Sequence, residues 1–449
     1  MRIPKTPPEF SHLIQDLIEN PEVFQKGISS AAYTPLANGK YLHWDELIRQ
    51  PSFEGLTHEQ WWTFMKSSRK ALFRPLPLLD KKEKPFQYIA EIPFITEQLH
   101  RTDLGAGGRI EMPQQILNPN TRDRYYVNSL IEEAVTSSQL EGATTTRKVA
   151  ADMIRSGRGP RDKSERMIYN NYLTMRHIAE IKQRNLSMEM VLEIHSFVTD
   201  RTLDDPGEGG RLRGPHEAVN VTNNDRDEVV HVPPPADQLE ARMKAMCDFA
   251  NGKTPSQFLH PVLRSIILHF WLAYDHPFVD GNGRTARALF YWSMLHHGYW
   301  LFEFVSISRI LRNAPAKYGR AFLYTETDDN DLTYFLIFNL KVILRAIVEL
   351  HEYIEIKTRQ TQLLERQLRG MSSLNHRQQA LISHALRHPG HRYTIESHRM
   401  SHNIVYETGR TDLMTLVSRG LLKVNKVNRT QFFIPVPELE SKLRQLENF

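Results

Sequence analysis

His276-Pro277-Phe278-Val279-Asp280-Gly281-Asn282-Gly283-Arg284-Thr285-Ala286-Arg287 joins two strongly apolar stretches. Upstream, Leu263, Ile266, Ile267, Phe270 and Trp271 recur at helical spacing, and downstream Leu289, Trp292 and Leu295 do the same. The run between them must be a tight loop joining helices, with Pro277 ending the first and the glycines letting the backbone turn. The second helix is expected to restart near Arg284, with Leu289, Trp292 and Leu295 on its buried side. A helix N-terminus preceded by Gly281-Asn282-Gly283 presents free N–H groups and a positive dipole end, a ready site for phosphate oxygens. Arg284 and Arg287 add fixed charge there. Asp280 supplies a hard oxygen for Mg²⁺, and His276 can take a proton near neutral pH. Together these parts suit transfer of a phosphorus-containing group from a Mg-nucleotide to a hydroxyl, which needs a base, an anion cradle and a metal on the phosphates. Singly, each residue has an ordinary reading: His276 a helix cap, Asp280 a turn residue, the arginines solvated surface. Their concurrence in one short run favours the chemistry.

Outward from this loop the middle of the chain reads as helices: Tyr125 to Glu141 with Gly142 as a stop, Ser164 to Ile181, Ser187 to Asp200, Pro235 to Asn251 and Leu259 to Tyr274. Between them, Ala218-Val219-Asn220-Val221-Thr222 and Glu228-Val229-Val230-His231-Val232 flank the polar turn Asn223 to Asp227, a β-hairpin signature ended by Pro233-Pro234-Pro235. An isolated hairpin is marginal, so it should lie over the helical core. A long apolar helical stripe, Leu340, Ile343, Leu344, Ile347, Leu350 and Ile354, follows as a connecting helix.

The loop carries, at every defined position, the signature of the Fic-domain family, His-x-Phe-x-(Asp/Glu)-Gly-Asn-Gly-Arg-x-x-Arg. The resemblance extends from about Ala134 to Leu344, through Gly210-Arg211-Leu212-Arg213, the hairpin, and Ser308 with Asn313 and Tyr318. It implies a mainly α chain: a Fic-type helical bundle with a β-hairpin flap. It implies protein adenylyltransferase activity, AMP passing from ATP to a Ser, Thr or Tyr hydroxyl of a target protein or of the enzyme itself, with release of pyrophosphate. His276 would be the general base and Asp280 would hold Mg²⁺. Gly281, Asn282, Gly283 and Arg284 would hold phosphates, Arg287 would reach the γ-phosphate, and Phe278 would be a core anchor. Asn313 and Tyr318 would be nucleotide contacts, although such residues on helices most often pack or cap. The hairpin resembles the family's flap, whose residues Val219, Val221, Val230 and Val232 would dock the target backbone as an added strand; a surface hairpin without a ligand is the alternative.

Ser137-Ser138-Gln139-Leu140-Glu141-Gly142 resembles the family's inhibitory helix, (Ser/Thr)-x-x-x-Glu-(Gly/Asn). A carboxylate in the last turn of a helix is unfavourable unless a cation compensates. The expected cation is Arg287, with Ser137 orienting Glu141 through a hydrogen bond, so that the enzyme is off by default. Otherwise Glu141 is a solvated helix end.

The C-terminal part reads as helices from Asn375 to Ala385, from Tyr393 onward and from Ile404 to Arg419. Strands Gly420 to Val424 and Gln431 to Ile434 then flank the basic turn Asn425 to Arg429. Three helices and a β-ribbon resemble an α+β winged-helix module, which implies DNA through its third helix and wing. Residues 371–449 hold 11 Lys+Arg and 6 Asp+Glu, so this segment carries the whole net charge of +5. Against DNA, Glu407 and Asp412 lie in the third helix and would repel phosphates, which places a protein-contact or homodimer role ahead of it. His376, His384, His388, His391, His398 and His402 crowd the segment, and without a third ligand at defined spacing they read as solvated helix faces.

The organisation expected is an accessory region over 1–104, a catalytic core over 105–345 with inhibitory helix 125–142 and flap 218–232, a connecting helix over 346–370 and the winged-helix-like module over 371–449. With 40% hydrophobic and 24% charged residues the chain is neither disordered nor collagen-like. One cysteine, Cys247, excludes an intrachain disulfide and a Cys-rich metal site. The first residues lack an apolar signal core and no window reaches ~18 apolar residues, so no membrane partner and a cytoplasmic location are expected. The alternatives are a nucleotide-sensing DNA-binding regulator with a Fic-like core, or a Fic enzyme moving another phosphorus-containing group. The intact His276 favours the enzyme.

Overall fold

The computed structural model of the chain describes residues 2–107, 119–217, 219–223, 228–371, 373–388, 391–427 and 430–446. It divides into two compact units, residues 1–109 with 129–347 and residues 110–128 with 348–449.

In the first unit, α1 (Phe10–Glu19), α2 (Pro21–Ile28), α3 (Trp44–Leu47) and α4 (His58–Leu72) precede an antiparallel pair, β1 (Arg74–Leu79) and β2 (Pro85–Tyr88). A capping box between Thr57 and Gln60 starts α4. The β1–β2 hairpin was not expected from sequence, because Pro75, Pro77 and Pro85 remove ladder donors and mask the strand pattern. The N-terminal region is fastened to the rest of the unit by buried charge. Lys66 pairs with Asp328, while Arg69 donates to Tyr334 Oη at 2.7 Å and to the carbonyls of Pro35 and Leu42 at 3.0 and 2.9 Å.

Then come α5 (Pro93–Thr102), α6 (Pro119–Leu140), whose residues 119–128 belong to the second unit, α7 (Arg147–Ser156), α8 (Lys163–Ile181) and α9 (Met188–Thr199). Strands β3 (Val221–Asn223) and β4 (Glu228–His231) form the hairpin between α9 and α10 (Leu239–Ala250). Asp162 and Ser187 cap α8 and α9 by accepting from the amides three residues on. Helices α11 (Pro261–Asp275) and α12 (Asn282–His296) carry the motif between them and pack together, with α8 and α9 also against α12. Helix α12 starts two residues earlier than expected. It is also buried on nearly every side from Asn282 to Leu295, because neighbouring helices enclose it, rather than along one stripe. The unit continues with α13 (Ile307–Arg312), α14 (Pro315–Thr327) and the first part of α15 (Thr333–Gly370).

The second unit holds the end of α15, α16 (His376–Arg387), α17 (Ile395–His402), α18 (Tyr406–Ser418), the antiparallel pair β5 (Leu422–Val427) and β6 (Thr430–Pro435), and α19 (Leu439–Leu446). Tyr393 exchanges two main-chain hydrogen bonds with Phe433, at 2.9 and 2.8 Å, adding a bridge on the outer side of β6. Leu381, Ile382, Leu386, Leu413, Leu416 and Phe433 form its core. The wing turn at 428–429 lies outside the described residues. Two expectations are corrected here. Asp412 is buried, accepting from Arg377 Nε at 2.7 Å and Asn375 Nδ2 at 2.7 Å, so it presents no charge to a ligand; Glu407 remains exposed. The histidines are not all solvated: His398 is buried against Asp412 at 3.3 Å, and His384 meets Tyr393 Oη at 2.7 Å. Among the described residues no group of three or more His, Cys, Asp or Glu is arranged to hold a metal, and no helix is long and apolar enough to cross a membrane.

Candidate active site

Helix α11 ends on His276, a non-glycine residue in the left-handed region (φ 46°, ψ 56°), whose N–H closes the helix on Leu272 O at 3.0 Å. Such a conformation costs on the order of 1 kcal/mol and persists only where its surroundings hold it. They do so from two sides. Arg213 donates from Nε to His276 O at 2.8 Å, and its amide donates to Pro277 O at 2.9 Å. Nδ1 of His276 lies 3.2 Å from Ala273 O, an acceptor, so this nitrogen carries the proton and Nε2 is left as the base. Burial pushes the imidazole down to about 4, which keeps it neutral near pH 7.

The rest of the loop is tied internally. Asn282 Oδ1 accepts from the Phe278 amide at 2.9 Å and its Nδ2 donates to Phe278 O at 2.8 Å, while the Phe278 ring is fully buried. The side chain of Asn282 is thus committed to holding the loop. Gly281, at φ 82°, begins α12 without a side-chain cap, which leaves the first-turn amides open. A Cβ on Gly281 would fall 2.6 Å from Thr199 Cγ2, so only glycine fits.

His195, which sequence reasoning missed, stacks on Phe278 with centroids 3.7 Å apart. Its Nδ1 accepts from the Gly210 amide at 3.0 Å, so the proton is on Nε2, which meets Asp280 O at 2.9 Å. Burial lowers it to about 4, consistent with a neutral ring. Asp280 itself is half exposed, with Oδ1 on the Gly281 amide at 2.5 Å and Oδ2 3.7 Å from Arg284 Nη2. One open carboxylate suits Mg²⁺ that keeps waters and takes its remaining ligands from phosphates. Arg284 is buried, donates to Val198 O at 3.0 Å, and its buried Nε has no hydrogen-bond partner among the described residues, an orphaned donor that fits an anionic ligand.

Arg287, 2% exposed, donates to Glu141 Oε1 at 2.8 Å, Ser137 Oγ at 2.8 Å and Ser137 O at 3.0 Å. The expected Ser137–Glu141 bond is corrected: the Ser137 hydroxyl grips Arg287 instead, because both groups face the guanidinium from one side of α6. Burial would raise the Glu141 carboxyl, but Arg287, then Arg284 and His276, outweigh it and hold it below its usual value. The carboxylate lies against the start of α12, where a Cβ at Gly283 would be 2.3 Å from Oε1. Eight residues earlier on α6, Glu133 is buried among Tyr291 Oη and Ser306 Oγ, both at 2.8 Å, the Ser308 amide and the Ser308 hydroxyl.

Tyr318 Oη meets His269 Nε2 at 2.8 Å and lies beside Arg287; burial pushes its phenol up to about 12. Asn313 is exposed at the C-terminal end of α13. In the hairpin, Val221 pairs with His231 and Thr222 with Val229, so Val230 is the extra residue of a bulge. Val219 and Val232 fall outside the ladder, the prolines after Val232 having ended pairing. Residues 218 and 224–227 of the proposed flap lie outside the described residues.

Comparison with known proteins bears on these features. Residues 185–294 match the Fic/DOC family. A protein adenylyltransferase Fic from Nematostella vectensis is 35% identical over 118 residues, 26% of this chain and 25% of that protein. One from Drosophila willistoni is 33% identical over 129 residues, 28% and 24% of the two. The chain thus spans about a quarter of the length of the curated relatives it matches. A solved Fic family protein from Desulfovibrio desulfuricans G20 shares the fold with TM-score 0.52 at 19% identity, over 76% of this chain and 96% of that one. The mainly α architecture with small sheets agrees with the fold of that protein.

Proposed function

We propose that the chain is a protein adenylyltransferase that moves AMP from ATP to a Ser, Thr or Tyr hydroxyl, and that Glu141 restrains it. The observation that carries the reading is the convergence on one spot of a neutral His276 with a free Nε2, the uncapped start of α12 and the buried guanidinium groups of Arg284 and Arg287. His276 Nε2 takes the proton of the target hydroxyl, whose oxygen bonds to the α-phosphorus as the bond to the bridging oxygen breaks and pyrophosphate leaves. The amides of α12 and the two arginines neutralise the phosphates; Asp280 would hold Mg²⁺, which when bound adds charge neutralisation on the nucleotide. His195 and Asn282 keep the loop in shape, and the β3–β4 flap presents the target backbone.

Glu141 supplies its own anion to the same cradle. With its carboxylate on Arg287, the charge needed by the γ-phosphate is taken and ATP binds unproductively. The first unit ends at Ile347, close to the proposed boundary between core and connecting helix, although residues 110–128 of the proposed core fall in the second unit and the proposed accessory region falls in the first; the second unit's helix and strand order supports a winged-helix-like, protein-contacting or dimerising module. A cytoplasmic location goes with this reading. The direct test is intact-mass measurement of the Glu141→Gly protein after incubation with Mg-ATP: a covalent AMP adduct, absent in the additional His276→Ala variant, is expected. An adduct of phosphate, UMP or phosphocholine instead, from the matching donor, would reassign the transferred group.

A further inference from the structure

Residues 129–140 of α6 lie in the first unit with α12 and α13. Glu133 and Ser137 on this stretch, and Glu141 just past its end, recur every fourth residue and so follow one side of the helix. Their partners on α12 are Tyr291 and Arg287, also four apart. As the chain runs from Glu133 to Glu141 the partners step back from Tyr291 to Arg287, so two antiparallel helices are joined by two polar rungs. The rung at Arg287 is the proposed restraint. The rung at Tyr291 holds a carboxylate that is 2% exposed and takes four donors: Tyr291 Oη and Ser306 Oγ at 2.8 Å and the Ser308 amide at 3.2 Å on Oε2, and the Ser308 hydroxyl on Oε1. The Tyr291 oxygen in turn accepts from the Ile307 amide at 2.8 Å, which ties α12 to the start of α13.

This rung fixes α6 along its axis. The contacts of Leu130, Ile131, Ala134 and Val135, all buried, are apolar and non-directional, and tolerate a small slide. Hydrogen bonds do not: they weaken steeply with distance and angle, and a buried carboxylate drawn off its donors leaves them unpaired. Ser129 adds one bond, to Phe304 O at 2.7 Å, against four at Glu133. Glu141 stands ~12 Å further along at ~1.5 Å per residue. A slide of about 1 Å would take its 2.8 Å contact with Arg287 out of hydrogen-bonding range.

We propose that Glu133 is a positioning residue for the restraint: it pins α6 in the register that lays Glu141 on Arg287, and its loss switches AMP transfer on. This rests on the reading of the site as a transferase restrained by Glu141. The α12 amides, Arg284 and Arg287 stay in place when Glu133 is removed, so nucleotide binding gains what Glu141 gives up. The expected sign is opposite to that of an ordinary buried polar group, whose removal only costs stability.

The test uses the full chain in four forms: wild type, Glu133→Ala, Glu141→Gly and the double variant. Self-modification with Mg-ATP is read by intact mass, and ATP affinity is measured in parallel. Glu133→Ala alone is expected to raise both about fivefold, the lower end of a coupling between two sites, and to add nothing in the Glu141→Gly background, where no restraint is left to release. Glu133→Ala no faster than wild type overturns the pin, and so does a change of equal size and sign in both backgrounds, the mark of a merely structural role. If Glu133→Ala does not fold, Ser308→Ala, which removes one hydroxyl donor and leaves the carboxylate, carries the same expectations. Hydrogen exchange gives a readout free of activity: the amides of residues 137–142 should exchange faster in Glu133→Ala than in wild type, and unaltered protection there overturns the pin. A Glu141→Gly protein no faster than wild type overturns the restraint, and the pin with it. No adduct in any form overturns the transferase reading instead, and hydrogen exchange then decides by itself whether Glu133 holds Glu141 in place.

Discussion

Glu141 Oε1 and Arg287 Nη2 stand 2.8 Å apart although 146 positions separate them in the chain. The pair puts a protein carboxylate at the open start of α12, where Gly283 has no side chain to keep it out. Arg287 has two duties in the proposed mechanism and Glu141 one, which makes their substitutions unequal. Glu141→Gly should activate AMP transfer, and Arg287→Ala should not, although both break the pair. Releasing a coupling of ~1–3 kcal/mol corresponds to about fivefold to 150-fold in productive ATP binding. ATP affinity and self-modification measured side by side decide it: a Glu141→Gly protein no faster than wild type would make residues 137–142 an ordinary helix end.

His276→Ala should reduce transfer by ~10²–10⁴, the range of a general base, with the thermal transition little changed. The ring is held by Ala273 O and the main chain by Arg213, so the loop keeps its anchors. Near-normal adduct formation by the variant rejects His276 as base.

Asp280→Ala should remove Mg²⁺-dependent transfer, since Asp280 is the acidic residue of the motif and its carboxylate faces outward. Titrating Mg²⁺ against initial rate checks this, and an unchanged dependence would falsify its role as ligand.

Acid should destabilise the first unit well above the pH at which carboxylates alone would. Burial holds His43, His195 and His276 at about 4 and His269 at about 3. Unfolded, these rings protonate near ~6.5. Below that value the unfolded chain binds more protons, so the stability the neutral rings contribute is complete above ~6.5 and drains away as pH falls towards 4. Each ring held ~2 units down weighs about 3 kcal/mol once both values are passed, so together they rival an ordinary folding stability of ~5–15 kcal/mol. Thermal melts from pH 7.5 to pH 4 should show a steep drop, and a flat profile would contradict buried neutral histidines.

Phe278→Ala should cost ~3–5 kcal/mol, the range for a buried aromatic. Its ring is fully buried and stacked on His195. Denaturant titration measures it; a loss below 1 kcal/mol would mean the ring does not anchor the loop.

What the sequence determined by itself is local. The helices flanking the motif announce themselves by apolar spacing and by Pro and Gly punctuation, and the motif's residue types need only a dozen neighbouring positions to declare an anion site. Strands β5 and β6 and the three helices before them were legible for the same reason. The β1–β2 hairpin was hidden by its prolines, and the all-round burial of α12 was hidden because a stripe pattern says where apolar residues fall, not how many neighbours will cover the rest. Apart from the Glu141–Arg287 pair, which the family resemblance implied, tertiary structure decided which polar groups meet. It gave Ser137 to Arg287 rather than to Glu141, brought His195 to Asp280 O from 85 positions away, turned Asp412 inward, and placed His231 between Tyr274 and Glu326. Such pairings leave no periodic trace, because a hydrogen bond's partner is set by where packing of the apolar faces brings the helices, and a buried polar group then takes whichever donor or acceptor that packing leaves within reach.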